Sequence, residues 1–149
     1  MTPKNHDSYV VRGARIYCSN GSHIRRLDMP VSHGSYVREK AMMHEKDCQT
    51  GLDANIPPFG VCRSPENSGQ QISISDAADL VPYQDEYGRA VTPPLPIEGR
   101  LCAPALPAKW IDAQEETLVD GVPALTKNCT ITCQYGGIIC FIDDGQEVG

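Results

Sequence analysis

The chain has 149 residues and a formal net charge of −6, with 40% apolar, 21% charged and 6% aromatic residues. A chain of this length can form one domain that buries about two-thirds of its unfolded surface, and none of its apolar runs approaches the ~20 residues that a membrane-spanning helix requires. The acidic balance argues against a broad basic surface of the kind that binds nucleic acid.

Proline and glycine shape the local pattern, with 12 and 13 residues respectively. Both interrupt regular structure, and clusters of them mark turns. We therefore predict a mainly β fold in which residues 1–149 form one compact domain of short strands and tight turns. It should contain a long irregular loop and at most short helices.

The N-terminal part carries two strand-like pieces. Residues 9–11 and 15–17 are rich in β-branched and aromatic side chains, and Gly13 between them indicates a bend or bulge. Residues 36–46 contain helix-forming side chains and predict a short helix.

The middle segment, residues 64–100, is rich in Ser, Pro, Gln and Asp and has few large apolar residues. Because such a composition supplies little core, we predict that this segment is a polar loop excursion within the domain. A short helix should start at Ser75, since residues 75–79 resemble an N-cap followed by acidic residues in the first turn.

The C-terminal part returns to short apolar runs. Residues 110–117 are long enough for two helical turns, and residues 117–122, with their central Asp-Gly pair, predict a tight β-hairpin. Residues 129–133 alternate with period two, so their two cysteines and their isoleucine should lie on one face of a strand. Residues 138–142 predict a further apolar strand.

Seven cysteines are the most unusual feature of the composition. An odd number cannot pair completely within one chain, and the polar start at residues 1–7 leads into no apolar segment of a signal peptide. We therefore expect a cytoplasmic chain whose cysteines stay reduced. They are then buried thiols, metal ligands or a mixture of the two.

A metal site would have to be assembled from distant segments, because no two cysteines have the CxxC spacing. Cys62, Cys102 and Cys133 lie beside turn-forming Pro and Gly residues and are candidate ligands. Cys140 lies inside an apolar strand, which favours a core position. His33, in a Ser-His-Gly turn, is either a ligand or base or a turn residue bonded to the backbone.

Motifs of the common enzyme classes are missing. The sequence contains neither a GxxxxGK[ST] phosphate loop nor a GxGxxG after a strand, and it lacks the local signatures of the cysteine-protease families. A small Cys/His enzyme or toxin stays open as a less favoured alternative, because Cys and His together are the minimum for nucleophilic catalysis.

A series of short motifs runs through the chain in a fixed order. They lie at residues 9–14 and 17–22, 30–34, 55–62, 101–104 and 110–111, 121–126, 133–138 and 144–146. Taken together, they resemble the motifs of the PAAR-like proteins of bacterial contractile injection systems, in a branch known only as a domain of unknown function. The resemblance covers most of the chain outside the middle segment.

This resemblance implies a non-enzymatic role. Related proteins are short β-structured cones with a metal ion near the apex, and one monomer caps the narrow end of a trimeric VgrG-type spike. A contracting sheath, in a type VI secretion system or a phage-tail-like particle, drives that spike into a membrane. We expect Cys62, Cys102 and Cys133 to be ligands, with Cys48 or His33 as the fourth. Zinc is the expected ion of a thiolate-rich site, and iron is second.

The resemblance also implies partners and location. We expect one tip per trimer, no nucleic-acid partner, no stable insertion into a membrane, and a cytoplasmic location until the spike carries the protein out of the cell. The base that meets the spike should expose apolar side chains. The residues that could form either this base or the core are Val10, Val11, Ile138, Ile139 and Phe141. In the alternative role, the protein is an adaptor that carries effector cargo, with segment 64–100 as the binding element.

Overall fold

The structure is a computed structural model that describes residues 8–50, 54–76, 78–81, 83–84, 86–91, 94–103, 106–107 and 109–146. Within these ranges the chain forms thirteen short β-strands and no α-helix, which confirms the predicted mainly β domain. The strands are β1 (Arg15–Cys18), β2 (Arg25–Arg26), β3 (Tyr36–Val37), β4 (Lys40–Ala41), β5 (Val61–Cys62), β6 (Gln71–Ile74), β7 (Tyr83–Gln84), β8 (Ala90–Val91), β9 (Ile97–Leu101), β10 (Gln114–Val119), β11 (Val122–Ala124), β12 (Ile131–Thr132) and β13 (Ile138–Phe141). The described part of the chain contains no helix long and apolar enough to cross a membrane.

A four-stranded antiparallel sheet with the order β12-β13-β1-β2 forms one wall of the core. Ile16 pairs with Phe141, and Cys18 pairs with Ile139. Period two divides the side chains of each strand between two faces. The side chains of these two residue pairs lie on the inner face and are buried. Ile138, on the outer face, is 45% exposed.

Most of the side chains expected at an exposed apolar base belong to the core instead. The buried ones are Val10, Val11, Ile139 and Phe141. Val10 lies between two chain segments, because its N–H donates to the carbonyl of Leu125 at 2.9 Å and its carbonyl accepts the N–H of Met43 at 3.1 Å. Among the expected residues only Ile138 is exposed.

The middle segment contains strands that the sequence analysis did not predict. β6 and β9 join β5 in a three-stranded antiparallel sheet with the order β5-β9-β6, and β7 pairs with β8. Every second residue of β6 and β9 is exposed. A short strand with one polar face carries little apolar signal, which is why its composition resembles that of a loop.

The three predicted helices are absent from the described residues. Residues 36–46 include the β3–β4 hairpin, and β10 occupies much of the segment 110–117. Residues 75–79, of which Ala77 lies outside the described ranges, contain no helical residue among the others. In the first two segments cross-strand pairing outweighs a weak local preference for helix.

The predicted hairpin is confirmed. Val119 pairs with Val122 across β10 and β11, and the turn residues Asp120 and Gly121 have φ values of 52° and 79°. This two-residue turn needs two left-handed positions, and Asp-Gly is among the pairs that adopt them most readily. Residues 129–133 also keep the predicted alternation, with both cysteines and the isoleucine buried and the threonines more exposed.

One hydrophobic cluster forms most of the core. Its largest buried side chains include Trp110 and Phe59, and the ring of Trp110 stacks on Phe141 with 4.8 Å between centroids. Burial of each such side chain contributes about 1.5–3 kcal/mol. Six cysteines also belong to this cluster: Cys18, Cys48, Cys62, Cys102, Cys129 and Cys133.

Candidate metal centres

Four cysteines, which we call the thiol group, converge in the core from separate parts of the chain. They are Cys18, Cys62, Cys102 and Cys133, each at most 6% exposed. They are neighbours in a row, since the thiol of Cys18 affects the pKa of Cys102 and of Cys133, and the thiol of Cys62 affects that of Cys102. All four thiols are free of disulfides.

Backbone hydrogen bonds align the segments that carry these cysteines. The N–H of Arg63 donates to the carbonyl of Asn20 at 2.7 Å, so the turn after Cys18 lies against the end of β5. The N–H of Cys102 donates to the carbonyl of Gly60 at 2.7 Å. Since β5 also pairs with β9, the segment that follows β9 is brought to the same place.

Three of the four sulfurs accept backbone N–H groups from the turn that follows each cysteine. Such N–H···S hydrogen bonds favour the charged thiolate over the thiol, and the thiolate is the form that binds a metal. At Cys133 burial outweighs them and raises the pKa of the thiol. The donors are Ser64 for Cys62, Asn20 and Gly21 for Cys18, and Tyr135 and Gly137 for Cys133.

The hydrogen bonds within the row change the acidity of its members. The hydrogen bond from the Cys102 thiol lowers the pKa of Cys18 to about 6, although burial acts in the opposite direction. The same hydrogen bond, together with burial, raises the pKa of Cys102, because Cys102 is the donor. The thiol of Cys18 is therefore more acidic than those of Cys102 and Cys133, because the pKa of each of these two is raised.

Gly137 leaves room for two of the sulfurs. A Cβ on Gly137 would lie 2.6 Å from Sγ of Cys18 and 3.3 Å from Sγ of Cys133. At Gly137 the spacing leaves no space for a side chain, so the backbone itself forms part of the wall around the thiol group.

His33, His44 and Asp47 form a second cluster, which we call the histidine site. Their ligand atoms all lie within 4.8 Å of one another, and no other three His, Cys, Asp or Glu residues in the described ranges are grouped so closely. Nε2 of His33 is 3.0 Å from each carboxylate oxygen of Asp47, and Nδ1 of His44 is 3.6 Å from Oδ2. These three side chains could hold a metal ion.

The histidine site is fixed by its backbone. The N–H of His44 donates to Oδ2 of Asp47 at 2.8 Å, and the N–H of Lys46 donates to Nδ1 of His44 at 3.2 Å. Burial lowers the pKa of His44, and the carboxylate of Asp47 offsets this only in part. His44 is therefore neutral at pH 7, which is the form in which imidazole binds a metal.

The residues predicted as ligands are divided between the two clusters. The three predicted cysteines all lie in the thiol group, where Cys18 joins them. Cys48 lies outside both clusters, and its Sγ donates to the carbonyl of Pro107 at 3.4 Å. His33 belongs to the histidine site and not to the thiol group.

His44 and Asp47 are not among the predicted ligands. Both lie in or next to residues 36–46, and a helix in this segment would not bring them to His33 through a turn. The His-x-x-Asp spacing was the available signal, because residues three apart meet in a tight turn as well as on a helix. The signal for Cys18 was the Asn-Gly turn that follows it.

Comparison with known proteins gives one match. A family model described as "Domain of unknown function (DUF4280)" matches residues 10–146. No curated protein and no solved structure matches the chain.

Proposed function

The chain belongs to the DUF4280 family, a domain of unknown function, and we propose that it is a non-enzymatic spike-tip protein. In this proposal one copy caps the narrow end of a trimeric VgrG-type spike, and a structural metal ion stiffens the cap. The observation that carries the proposal is the convergence of four buried cysteines, each from a different segment, in an all-β domain.

The thiol group has the chemistry of a structural zinc site. Zinc prefers four thiolate or imidazole ligands in a tetrahedron, with Zn–S distances of about 2.3 Å, which puts neighbouring sulfurs roughly 3.8 Å apart. No three of the four sulfurs lie within 4.8 Å of one another, so one ion would have to draw the two end members of the row, Cys62 and Cys133, toward the centre. Iron is the second choice for such a ligand set.

An ion at this place would connect both larger sheets. Cys18 lies in β1 of the four-stranded sheet and Cys133 directly follows its strand β12. Cys62 lies in β5 of the three-stranded sheet and Cys102 directly follows its strand β9. A bond between ligands distant in sequence opposes separation of the two sheets, which suits a domain that has to resist shear. The order of the sequence motifs, which resembles that of PAAR-like proteins, supports the use of such a domain at a spike tip.

The outer face of the four-stranded sheet is the surface we assign to the spike. Ile138 is 45% exposed and pairs with Thr132, while Ile111 is 51% exposed and pairs with Thr130. Paired residues share a face, and residues two apart on one strand share it as well. The two isoleucines therefore lie on one side of the sheet and form an apolar area beside the exposed Thr132 and the half-buried Thr130.

The docking surface is tested by co-elution of the purified chain with a trimeric VgrG-type spike from the same genome. Ile138→Glu should abolish co-elution, because it buries a charge at the interface. Leu118→Glu is the matched control, since Leu118 is 57% exposed on β10 and lies outside this sheet. Equal spike binding by wild type and Ile138→Glu would refute this surface.

The structural metal is tested by metal analysis and thermal unfolding of the full chain. Wild type should contain one tightly held zinc ion, and Cys62→Ser and Cys133→Ser should lose it and melt at a lower temperature. Cys48→Ser is the control, because it changes a buried thiol outside both clusters. If both ligand variants retain wild-type metal content and stability, the thiol group is not a metal site.

A second role in the same machine is the adaptor for effector cargo. The feature that favours it is the β7–β8 hairpin of the middle segment, where Tyr87 between the strands is 75% exposed. Tyr87→Ser should reduce recovery of an effector that co-purifies with the assembled tip and leave spike binding intact. Unchanged recovery of the effector would remove this role.

A further inference from the structure

We propose that the histidine site binds a second, exchangeable divalent transition-metal ion whose open coordination positions take oxygen ligands from solvent. This site is separate from the thiol group and does not depend on the spike-tip role. Its ligands are His33, His44 and Asp47, which all lie within a segment of 15 residues.

The distances between the three side chains fit one ion. Two ligand atoms bound at about 2.0–2.2 Å in a tetrahedral arrangement are roughly 3.3–3.6 Å apart. The separations between Asp47 and the two histidines are 3.0 Å and 3.6 Å. The two imidazole rings are stacked, with 4.0 Å between their centroids and 20° between their planes. One ring therefore has to rotate before both histidines can direct their in-plane lone pairs at a shared ion.

The protons are also arranged for metal binding. Nδ1 of His44 accepts the N–H of Lys46 at 3.2 Å, so this nitrogen is unprotonated, and an ion bound to it would replace that hydrogen bond. Nε2 of His33 donates to the carboxylate of Asp47, and a metal ion between them would replace that shared proton. The proton of His33 then moves to Nδ1 or to solvent, which leaves Nε2 as the ligand atom.

The backbone around Asp47 holds the carboxylate in place before any ion binds. Oδ2 accepts the N–H of His44 at 2.8 Å, and the Asp47 carbonyl accepts the indole N–H of the buried Trp110 at 3.0 Å. Groups that orient a ligand in this way strengthen metal binding, because the ion does not have to order the ligand itself.

An open groove adjoins the histidine site. It has a volume of about 460 Å³, and His33 and Asp47 line it together with Val31, Gln49 and Asn55. Three protein ligands leave at least one coordination position free in a tetrahedral site. The groove makes this position accessible to water, a carboxylate or another small oxygen ligand. The thiol group, in contrast, is buried on all sides.

Cobalt(II) is the probe that tests the inference. Zinc-loaded full chain is titrated with Co²⁺, and the visible spectrum is recorded. We expect one further equivalent with the weak bands of nitrogen and oxygen ligands and without the intense sulfur-to-cobalt bands. Azide should shift those bands, because it enters the open position. Strong sulfur-to-cobalt bands would instead mean that cobalt occupies the thiol group. That result would show that the thiol group does not hold its zinc, which is a different failure from the absence of cobalt at the histidine site.

Two ligand variants and one control complete the test. His33→Gln and Asp47→Asn should lose the further equivalent of cobalt and keep the zinc held by the thiol group. Cys48→Ser, adjacent to Asp47, should bind cobalt like wild type. The inference is overturned if wild type binds no cobalt beyond its zinc content, or if both ligand variants give the wild-type spectrum. If azide leaves the cobalt bands unchanged, the bound ion has no open coordination position, and that part of the inference is wrong.

Discussion

The indole N–H of Trp110 donates to the backbone carbonyl of Asp47 at 3.0 Å, although the two residues are 63 positions apart. Trp110 is fully buried and stacks on Phe141 of β13. The turn that carries His44 and Asp47 is thereby connected to the strand at the centre of the four-stranded sheet. The histidine site thus depends on the core as well as on its own turn.

Trp110→Phe tests this connection. The variant keeps an aromatic ring in the core and removes the N–H donor, so the buried carbonyl of Asp47 loses its partner. An unpaired buried acceptor costs about 1–3 kcal/mol, and urea unfolding should show a loss of that size. Cobalt binding at the histidine site should weaken in parallel. A variant with wild-type stability would contradict the importance of this hydrogen bond.

Gly137→Ala tests the packing around the thiol group. The new methyl would press on the sulfurs of Cys18 and Cys133, and such overpacking costs about 1–3 kcal/mol. We expect reduced zinc content by metal analysis and a lower free energy of unfolding. Gly136→Ala is the matched control, because Gly136 has a φ of 84° and no atom within 4 Å of its added Cβ. It should lose about 1 kcal/mol from backbone strain and keep its zinc. Equal zinc content in both variants would argue against a metal bound by Cys18 and Cys133.

The Arg15–Asp143 pair predicts a dependence of stability on pH. Burial raises the pKa of Asp143, but the backbone N–H of Arg15 at 3.0 Å, its Nε at 2.7 Å and its charge together bring the pKa below the ordinary 3.8. A carboxyl group whose pKa is lower in the folded than in the unfolded state stabilises the folded state at pH values above its unfolded-state pKa. This stabilisation is lost as the pH falls through the folded-state pKa.

Asp143→Asn should therefore be less stable than wild type at neutral pH, and the difference should shrink as the pH falls below the ordinary pKa of 3.8. The measurement is urea unfolding at a series of pH values across this range. Asp144→Asn is the control, since the Asp144 side chain accepts the backbone N–H of Gln146 at 2.9 Å and no cation of the described residues pairs with it. If the difference in the free energy of unfolding between Asp143→Asn and wild type does not change with pH, the Arg15–Asp143 pair is not its cause.

The β3–β4 turn offers a stabilising change. Arg38 and Glu39 have φ values of 51° and 65°, which are left-handed conformations that ordinary side chains adopt at a cost. The double substitution Arg38→Asn and Glu39→Gly supplies the pair that this two-residue turn favours. We expect a gain of about 0.5–2 kcal/mol, measured as a higher midpoint of unfolding. A lower midpoint would show that the native side chains contribute more than the turn conformation costs.

The strands that the sequence predicts well are those with a clear local signal. The strand at residues 15–17 and the hairpin at residues 117–122 combine β-branched residues with turn residues of the right type. The hairpin at Arg38 and Glu39 has no such turn signal, so its helix-forming residues pointed to the wrong structure. The strands β6 and β9 were missed because one face of each is polar.

The candidate sites were predictable only in part. Turn residues after Cys62, Cys102 and Cys133 marked these cysteines as ligands, yet the spacing of residues in the sequence does not tell which distant segments meet. The row order and the place of Cys18 in it follow from the pairing of β5 with β9 and of β1 with β13. Asp47 lies among other charged residues, and only the fold brings it to His33.

Native mass spectrometry of the chain produced together with its trimeric spike tests the proposed function most directly. One spectrum reports the stoichiometry of the complex and the mass of any retained ion. We predict one copy of this chain on three copies of the spike, with a zinc ion that survives buffer exchange. A chain that stays a metal-free monomer in the presence of the spike would contradict both the capping role and the structural metal.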